Sequence, residues 1–359
     1  MDRFMAIVAS VPDPRKPNRR YELSTILFIA LAATLCGGES CTDMAEFAKA
    51  KRRLLGQFVP LEKGTPSHDT FSRLFALLDP ERFEPALREF AAAFAGQLRG
   101  VVALDGKSVR RAFGKEGAKS PLHLVCAYAA ESRLVLAQRK APERNEAAAL
   151  REVLSLLALK GCTVTADALF CYPAMAEAIR ARGADYAIAL KRNHGPLWRA
   201  AQARFAQDPE DADEFTTADR AHGRIEQRTA RVIAVPDLAH SFPDLAAIGR
   251  IVASRTATGR TAVDTRYFLL SRILTPDQLI ETVRAHWRIE NSLHWVLDVV
   301  FDEDRARNRI DHGPENLAIL RRLALNTLRT DTSKGSLRVK IKRAGWDDEF
   351  FVSILSHMR

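Results

Sequence analysis

The sequence predicts an α/β protein in which a sheet-based core is preceded by an all-helical region and interrupted by a β-rich insertion. Three observations carry this. The first hundred residues show helical periodicity and no strand-like alternation. From Val101 onward, short apolar runs alternate with helical segments in the order β-β-β-α-β-α-β. A block spanning 197–272 then reads as further strands before helical periodicity returns.

Helices are predicted over 21–37, 40–58, 67–79 and 80–99, separated by Gly37-Gly38, Val59-Pro60 and Lys63-Gly64-Thr65-Pro66. Ser67 is a natural N-cap, and His68 and Asp69 read as first-turn residues behind it. Residues 1–99 are therefore expected to form a helical domain, suited to DNA binding.

The core begins with a strand over 101–104 that runs into Asp105-Gly106-Lys107. Strands over 122–130 and 133–140 are close enough to form a hairpin through Glu131-Ser132. A helix over 145–159, a strand over 162–166 ending at Asp167, a helix over 173–182 and a strand over 186–190 ending at Lys191 complete the run. Three antiparallel strands, a crossover helix and then parallel strands is the ribonuclease-H order. The core is expected to occupy 100–196 and to resume over 273–330. Between them, strands over 224–235, 248–254 and 266–270 mark the insertion of 197–272. A second long helix over 316–329 and a basic segment within 331–359 close the chain.

Composition narrows the class. The chain has 359 residues, 47% of them hydrophobic, enough for a full core. Its net charge of +10 points to a polyanionic partner, of which nucleic acid is the commonest. Five cysteines show no C-x-x-C pair, and four of them, set among apolar or small residues, read as small core fillers in a reducing compartment. The N-terminus lacks the apolar core of a secretory signal, and the longest apolar run, 23–36, is too short to span a bilayer. A cytoplasmic protein with no membrane partner is the expectation.

The most informative single residue is Glu290. Thr275-Pro276-Asp277 opens a long helix, on which Val283, Trp287, Glu290, His294, Leu297 and Phe301 follow the spacing of one face. An acid inside such a stripe is costly unless something pairs with it. Asp105 and Asp167 stand at the ends of the first and fourth core strands, which are neighbours in a ribonuclease-H layout. Glu290 can reach the same rim from the later helix. Three clustered carboxylates repel one another unless cations sit among them. Oxygen donors with open coordination favour Mg²⁺, or Mn²⁺ as a substitute. Two such ions, about 3.5–4 Å apart, can clamp the attacking and leaving oxygens of a phosphodiester. A zinc site on His286, Glu290 and His294 is the weaker alternative, because the outer two lie about 12 Å apart along the axis at the usual helical rise.

Motifs along nearly the whole chain carry a family resemblance. They are Pro66-Ser-His-Asp-Thr-Phe71, Leu104-Asp-Gly-Lys-Ser-Val-Arg110, Ala166-Asp-Ala168, 184–193, 222–226, 286–298 and Glu315-Asn-Leu-Ala318. In this order they resemble the H-repeat-associated (ISAs-type) DDE transposases of bacterial insertion sequences. The resemblance implies metal-dependent DNA cleavage and strand transfer, with Asp105, Asp167 and Glu290 as the catalytic, metal-binding triad. Many relatives carry Tyr, Arg and Lys at fixed offsets around the Glu, where this chain has Val283, His286 and Leu297.

The basic work beside the phosphate then falls to Arg284, His286, Arg288 and His294, with Lys107, Lys191, Asn193 and Asn291 as further DNA contacts. Trp295 is a candidate for stacking on a base, and Trp287 reads rather as core. The partners implied are double-stranded DNA, as terminal inverted repeats and target, and a second copy of the chain in a synaptic homodimer. Two other functions remain open: an inactive DNA-binding remnant or regulator, and a stand-alone metal-dependent nuclease.

Overall fold

The computed structural model describes residues 2–112, 121–207, 213–221, 224–257 and 260–356. His222 and Gly223 of the 222–226 motif lie outside them. The N-terminal region is helical as expected: α1 (Asp2–Ala9), α2 (Leu23–Leu35), α3 (Cys41–Ala50), α4 (Arg52–Leu55), α5 (His68–Leu77) and α6 (Pro80–Ala95). The short α1 has no counterpart in the sequence reading. The single helix expected over 40–58 is broken at Lys51, whose backbone leaves the helical region at φ −101°, ψ 18°. Ser40 opens α3 through a capping box with Asp43. Helix α2 is buried on almost every side, so it is a central helix rather than an amphipathic one.

The sheet elements follow: β1 (Val101–Val109), β2 (Leu122–Ala129), β3 (Leu134–Lys140), α7 (Glu146–Ser155), β4 (Thr163–Ala166), α8 (Pro173–Arg180), β5 (Asp185–Leu190), α9 (Gly195–Gln207), β6 (Glu214–Ala221), β7 (Arg224–Ala234), β8 (Ala247–Ala257) and β9 (Arg260–Leu270). They form one sheet in the order β3-β2-β1-β4-β5-β9-β8-β7-β6. Strands β1, β2 and β3 pair antiparallel, while β4 runs parallel to β1 and β5 parallel to β4. This is the ribonuclease-H-like order read from the sequence. The later strands extend that same sheet, because β9 pairs antiparallel with β5 from Ala187↔Leu270 to Leu190↔Tyr267.

Two strands in this region exceed expectation, and β6 and α9 were not foreseen at all. The outer part of β9 is exposed over seven consecutive residues. With no buried face, it has no period-two pattern for a sequence to display.

The core part of the sheet is covered on both sides. Val102 and Leu104 pack with Leu150, Met175, Ile179 and Leu197 of α7, α8 and α9. Ala103, Cys126 and Tyr128 face the opposite layer, which contains the last elements: α10 (Pro276–Arg288), a π-turn (Ile289–His294), α11 (Trp295–Val299), α12 (Gly313–Thr330), α13 (Leu337–Trp346) and α14 (Asp348–Ser356). Ile26, Phe71 and Leu87 from the N-terminal helices share that core with Leu293 and Leu320.

Buried amides lock α12 in place. The Asn326 side chain accepts from the Val135 N–H and donates to the Val135 carbonyl, both at 2.9 Å, and so satisfies the outer edge of β3. Asn316 donates to the carbonyls of Phe75 and Leu78. Among the described residues, no helix is long and apolar enough to cross a membrane.

Candidate active site

Asp105 does not end its strand. The polar Asp105-Gly106-Lys107 reads as a turn in sequence, yet β1 continues to Val109 because β2 supplies an antiparallel partner at every step, Asp105↔Cys126 included. Pairing with β4 stops earlier, at Leu104↔Ala166. At Asp105 the sheet therefore forks. Past the fork β4 gives way to Asp167 and a short turn, Ala168–Phe170, and both Asp residues border one cleft of about 890 Å³.

The helix bearing Glu290 departs from the regular form expected of it. The Gln278 side chain accepts the Thr275 N–H at 3.1 Å at its start, and Pro276 occupies the first turn. Over Ile289–His294 the helix widens into a π-turn, a rare distortion found most often at functional sites. Its buried residues are Pro276, Leu279, Ile280, Thr282, Ala285, Ile289, Leu293, His294, Val296 and Leu297, so the expected stripe is buried only from His294 onward and not at Val283, Trp287 or Glu290. The Glu290 side chain is 50% exposed and borders the cleft rather than the core. Trp287, expected in the core, is exposed at the same border, with the Arg266 guanidinium 5.1 Å above its ring.

The π-turn aims two side chains at Asp105. Donor atoms of Asp105, Glu290 and His294 all lie within 4.8 Å of one another. His294 Nδ1 is 3.5 Å from Asp105 Oδ2 and 3.6 Å from Glu290 Oε2. Burial pushes the Asp105 carboxyl up to about 6, with His294 opposing the shift and the charges of Glu290 and Asp167 adding to it. The facing His294 imidazole draws Glu290 below its ordinary value.

Asp167 stands further along the cleft, with its Oδ1 3.2 Å from Lys191 Nζ. His286 takes no part in the close cluster, which counts against the zinc trio. Its Nδ1 lies 3.0 Å from Thr165 Oγ1, and burial pulls its pKa down to about 4, so the ring is neutral at physiological pH.

The expected DNA contacts divide into open and occupied groups. Lys191 is exposed, as are Arg284, Arg288, Asn291 and Trp295. Arg284 lies 3.5 Å from Asp219, and Arg288 reaches the Ala130 carbonyl at 3.5 Å. Lys107, expected at the DNA, is instead buried, with its ammonium 2.6 Å from Asp298 and 3.8 Å from Asp304. Asn193 donates to the Ala168 carbonyl at 2.6 Å and so braces the turn after Asp167. In the basic C-terminal segment, Lys340 is buried against Asp331 at 2.8 Å. Arg266 and Trp198, which also line the cleft, were missed; no local pattern marks a strand or helix residue that reaches a distant cleft.

The donor set suits a divalent cation. Two carboxylates and an imidazole converge from β1 and the π-turn, with the His294 Nδ1 facing both carboxylates.

Comparison with known proteins bears on the family of the chain. Residues 96–327 match the family described as "Transposase DDE domain", and residues 5–91 match "DDE_Tnp_1-associated". The chain is 30% identical to the Escherichia coli K12 "H repeat-associated putative transposase YhhI", over 99% of this chain and 98% of that protein. It is 38% identical to an "Uncharacterized protein in dhlA 3'region" of Xanthobacter autotrophicus, over 74% of this chain and 93% of that one. Among solved structures it is similar to the piggyBac transposase of a synaptic complex with hairpin DNA, at 9% identity and a TM-score of 0.49, covering 100% of this chain and 78% of that one. On a family match spanning most of its length and on relatives aligned end to end, the chain belongs to the DDE transposases, among those associated with H repeats.

Proposed function

We propose that this transposase cuts DNA at the ends of its element and joins the freed 3′-hydroxyl to target DNA, with Asp105, Asp167 and Glu290 holding two divalent cations, Mg²⁺ or Mn²⁺. The supporting observation is the convergence of carboxylates from β1 and the π-turn at the lip of a cleft that Asp167 also borders. When bound, such ions lower the pKa of water and stabilise charge on the reacting phosphate.

The protein's own part is positioning and charge. The fork after Leu104 sets Asp105 on β1 and Asp167 just past the end of β4, both on the border of one cleft. Lys191 and the exposed Arg284 and Arg288 suit the phosphate backbone, and the net charge of +10 favours duplex association generally. The helical 1–99, the insertion 197–272 and the tail 331–359 would provide further DNA contacts around the two core segments, 100–196 and 273–330. Pairing two element ends calls for a homodimer.

The test is an assay with labelled terminal repeats, target plasmid and Mg²⁺ or Mn²⁺. Cleavage with strand transfer, abolished by Asp105→Asn, Asp167→Asn or Glu290→Gln, is the expected result. Cleavage without joining would instead indicate a nuclease, and binding alone an inactive regulator. Full activity in Glu290→Gln would remove that residue from the site.

A further inference from the structure

We propose that His294 is itself a metal ligand, so that Asp105, Glu290 and His294 form a mixed oxygen–nitrogen site that prefers Mn²⁺ to Mg²⁺. This rests on the reading of the cleft as a metal centre and concerns which atoms complete it.

The geometry around His294 is that of a co-ligand rather than of a hydrogen-bonded partner. Its side chain is 9% exposed, so the ring is almost wholly removed from water. A buried imidazole normally satisfies both nitrogens. Here Nδ1, the nitrogen aimed at the site, faces two carboxylates at only 3.5 and 3.6 Å, while Nε2 lies on the other side of the ring and is not the proposed donor. A charge-assisted hydrogen bond is much shorter, about 2.7–2.9 Å, and a contact beyond about 3.5 Å is not a hydrogen bond at all. Donors that share one ion need not touch one another. With metal–ligand bonds of about 2.0–2.2 Å, adjacent donors stand roughly 3 Å apart and opposite donors roughly 4 Å apart. All three donors lying within 4.8 Å of each other is close to that spacing.

The backbone supports the same assignment. Glu290 and His294 are the second and last residues of the π-turn. The turn keeps Ile289 and Leu293 in the core while both polar side chains face Asp105. His286, by contrast, has its Nδ1 engaged by Thr165.

An imidazole ligand alters the choice of ion. Mg²⁺ is held by oxygen and gives up water reluctantly, whereas imidazole nitrogen suits transition metals. Mn²⁺ accepts both oxygen and nitrogen and tolerates the geometry that Mg²⁺ resists.

The experiment uses the full-length protein and Mn²⁺ alone. Mn²⁺ binding is followed by electron paramagnetic resonance, and pulsed measurements read hyperfine coupling to ligand nitrogen. The wild type is expected to bind Mn²⁺ with nitrogen coupling that changes from the ¹⁴N to the ¹⁵N pattern when only histidine is ¹⁵N-labelled. His294→Gln is expected to lose the coupling and at least tenfold in Mn²⁺ affinity, with a smaller loss for competing Mg²⁺. His286→Gln is expected to retain the coupling.

Mn²⁺ that binds and is lost in Asp105→Asn, but shows no histidine coupling, would overturn the role of His294 and leave the metal centre standing. Coupling that survives in His294→Gln and disappears in His286→Gln would overturn it equally. No Mn²⁺ binding in the wild type would overturn the metal centre as well. The labelled wild type decides the question even if a variant fails to fold.

Discussion

Lys107 Nζ lies 2.6 Å from Asp298 Oδ1, joining the strand that carries Asp105 to the helix that carries Glu290 and His294. Lys107 follows Asp105 by two residues on one strand face, and Asp298 follows His294 by four on one helix face. The two contacts are therefore successive rungs between the same two elements. The ion pair holds the helix in register over the cleft.

Lys107→Met is expected to leave Asp298 without its cation and to loosen that register. The loss of a shielded pair should destabilise the fold by roughly 1–3 kcal/mol, and strand cleavage should fall at least tenfold. Thermal melting and the labelled-end assay check both effects, with Lys107→Arg as a partial rescue. An unchanged melt together with full cleavage would sink the bracing role.

Glu303 and Arg322 form an ion pair with both side chains fully buried, at 2.7 Å. Glu303→Ala strands a guanidinium in the core beneath the site, and is expected to cost about 3–5 kcal/mol. The double change Glu303→Leu with Arg322→Met removes both charges, and should recover most of that loss in a denaturation experiment.

Glu315 gives a pH dependence of defined sign. Burial pushes its carboxyl up to about 7 from an ordinary 4.5, against the opposing charges of Lys140 and Arg139. The folded state therefore holds this proton more tightly than the unfolded chain. Its contribution is fully present below pH 4.5 and is lost as pH rises through 7. Relative to wild type, Glu315→Gln should gain melting temperature steadily from pH 5 to pH 8 and level off above that. The difference should reach about 1–3 kcal/mol, the lower end reflecting its partial exposure. A difference independent of pH would contradict the shift.

Lys191 pairs with Asp167 at the open end of the cleft, with both side chains about half exposed. Such a pair contributes under about 1 kcal/mol to stability, so Lys191→Ala should melt almost as wild type does. If Lys191 also meets phosphate, duplex affinity should weaken alike across sequences, and the slope of log affinity against log salt should fall by about 1. An unaltered slope would exclude that contact.

Much of the fold was legible because its signals are local. The strand–helix order of the core follows from periodicity, and Asp167 was located by the end of a short apolar strand. Glu290 stood out as an acid on a largely apolar helix, although its supposed burial was wrong. A π-turn cannot be read from spacing, since spacing arguments assume a constant number of residues per turn.

By itself, then, the sequence determined the ribonuclease-H-like order, the helical N-terminal region, the three acids as candidates and the family. Only the tertiary structure decided that β1 runs on past Asp105, that His294 rather than Asp167 closes against Asp105 and Glu290, and that Lys107 is an internal brace. Each of these depends on a partner far away in sequence: Lys107 and Asp298 are 191 positions apart. Periodicity reports which face of an element is buried, but not what the rest of the chain brings against it.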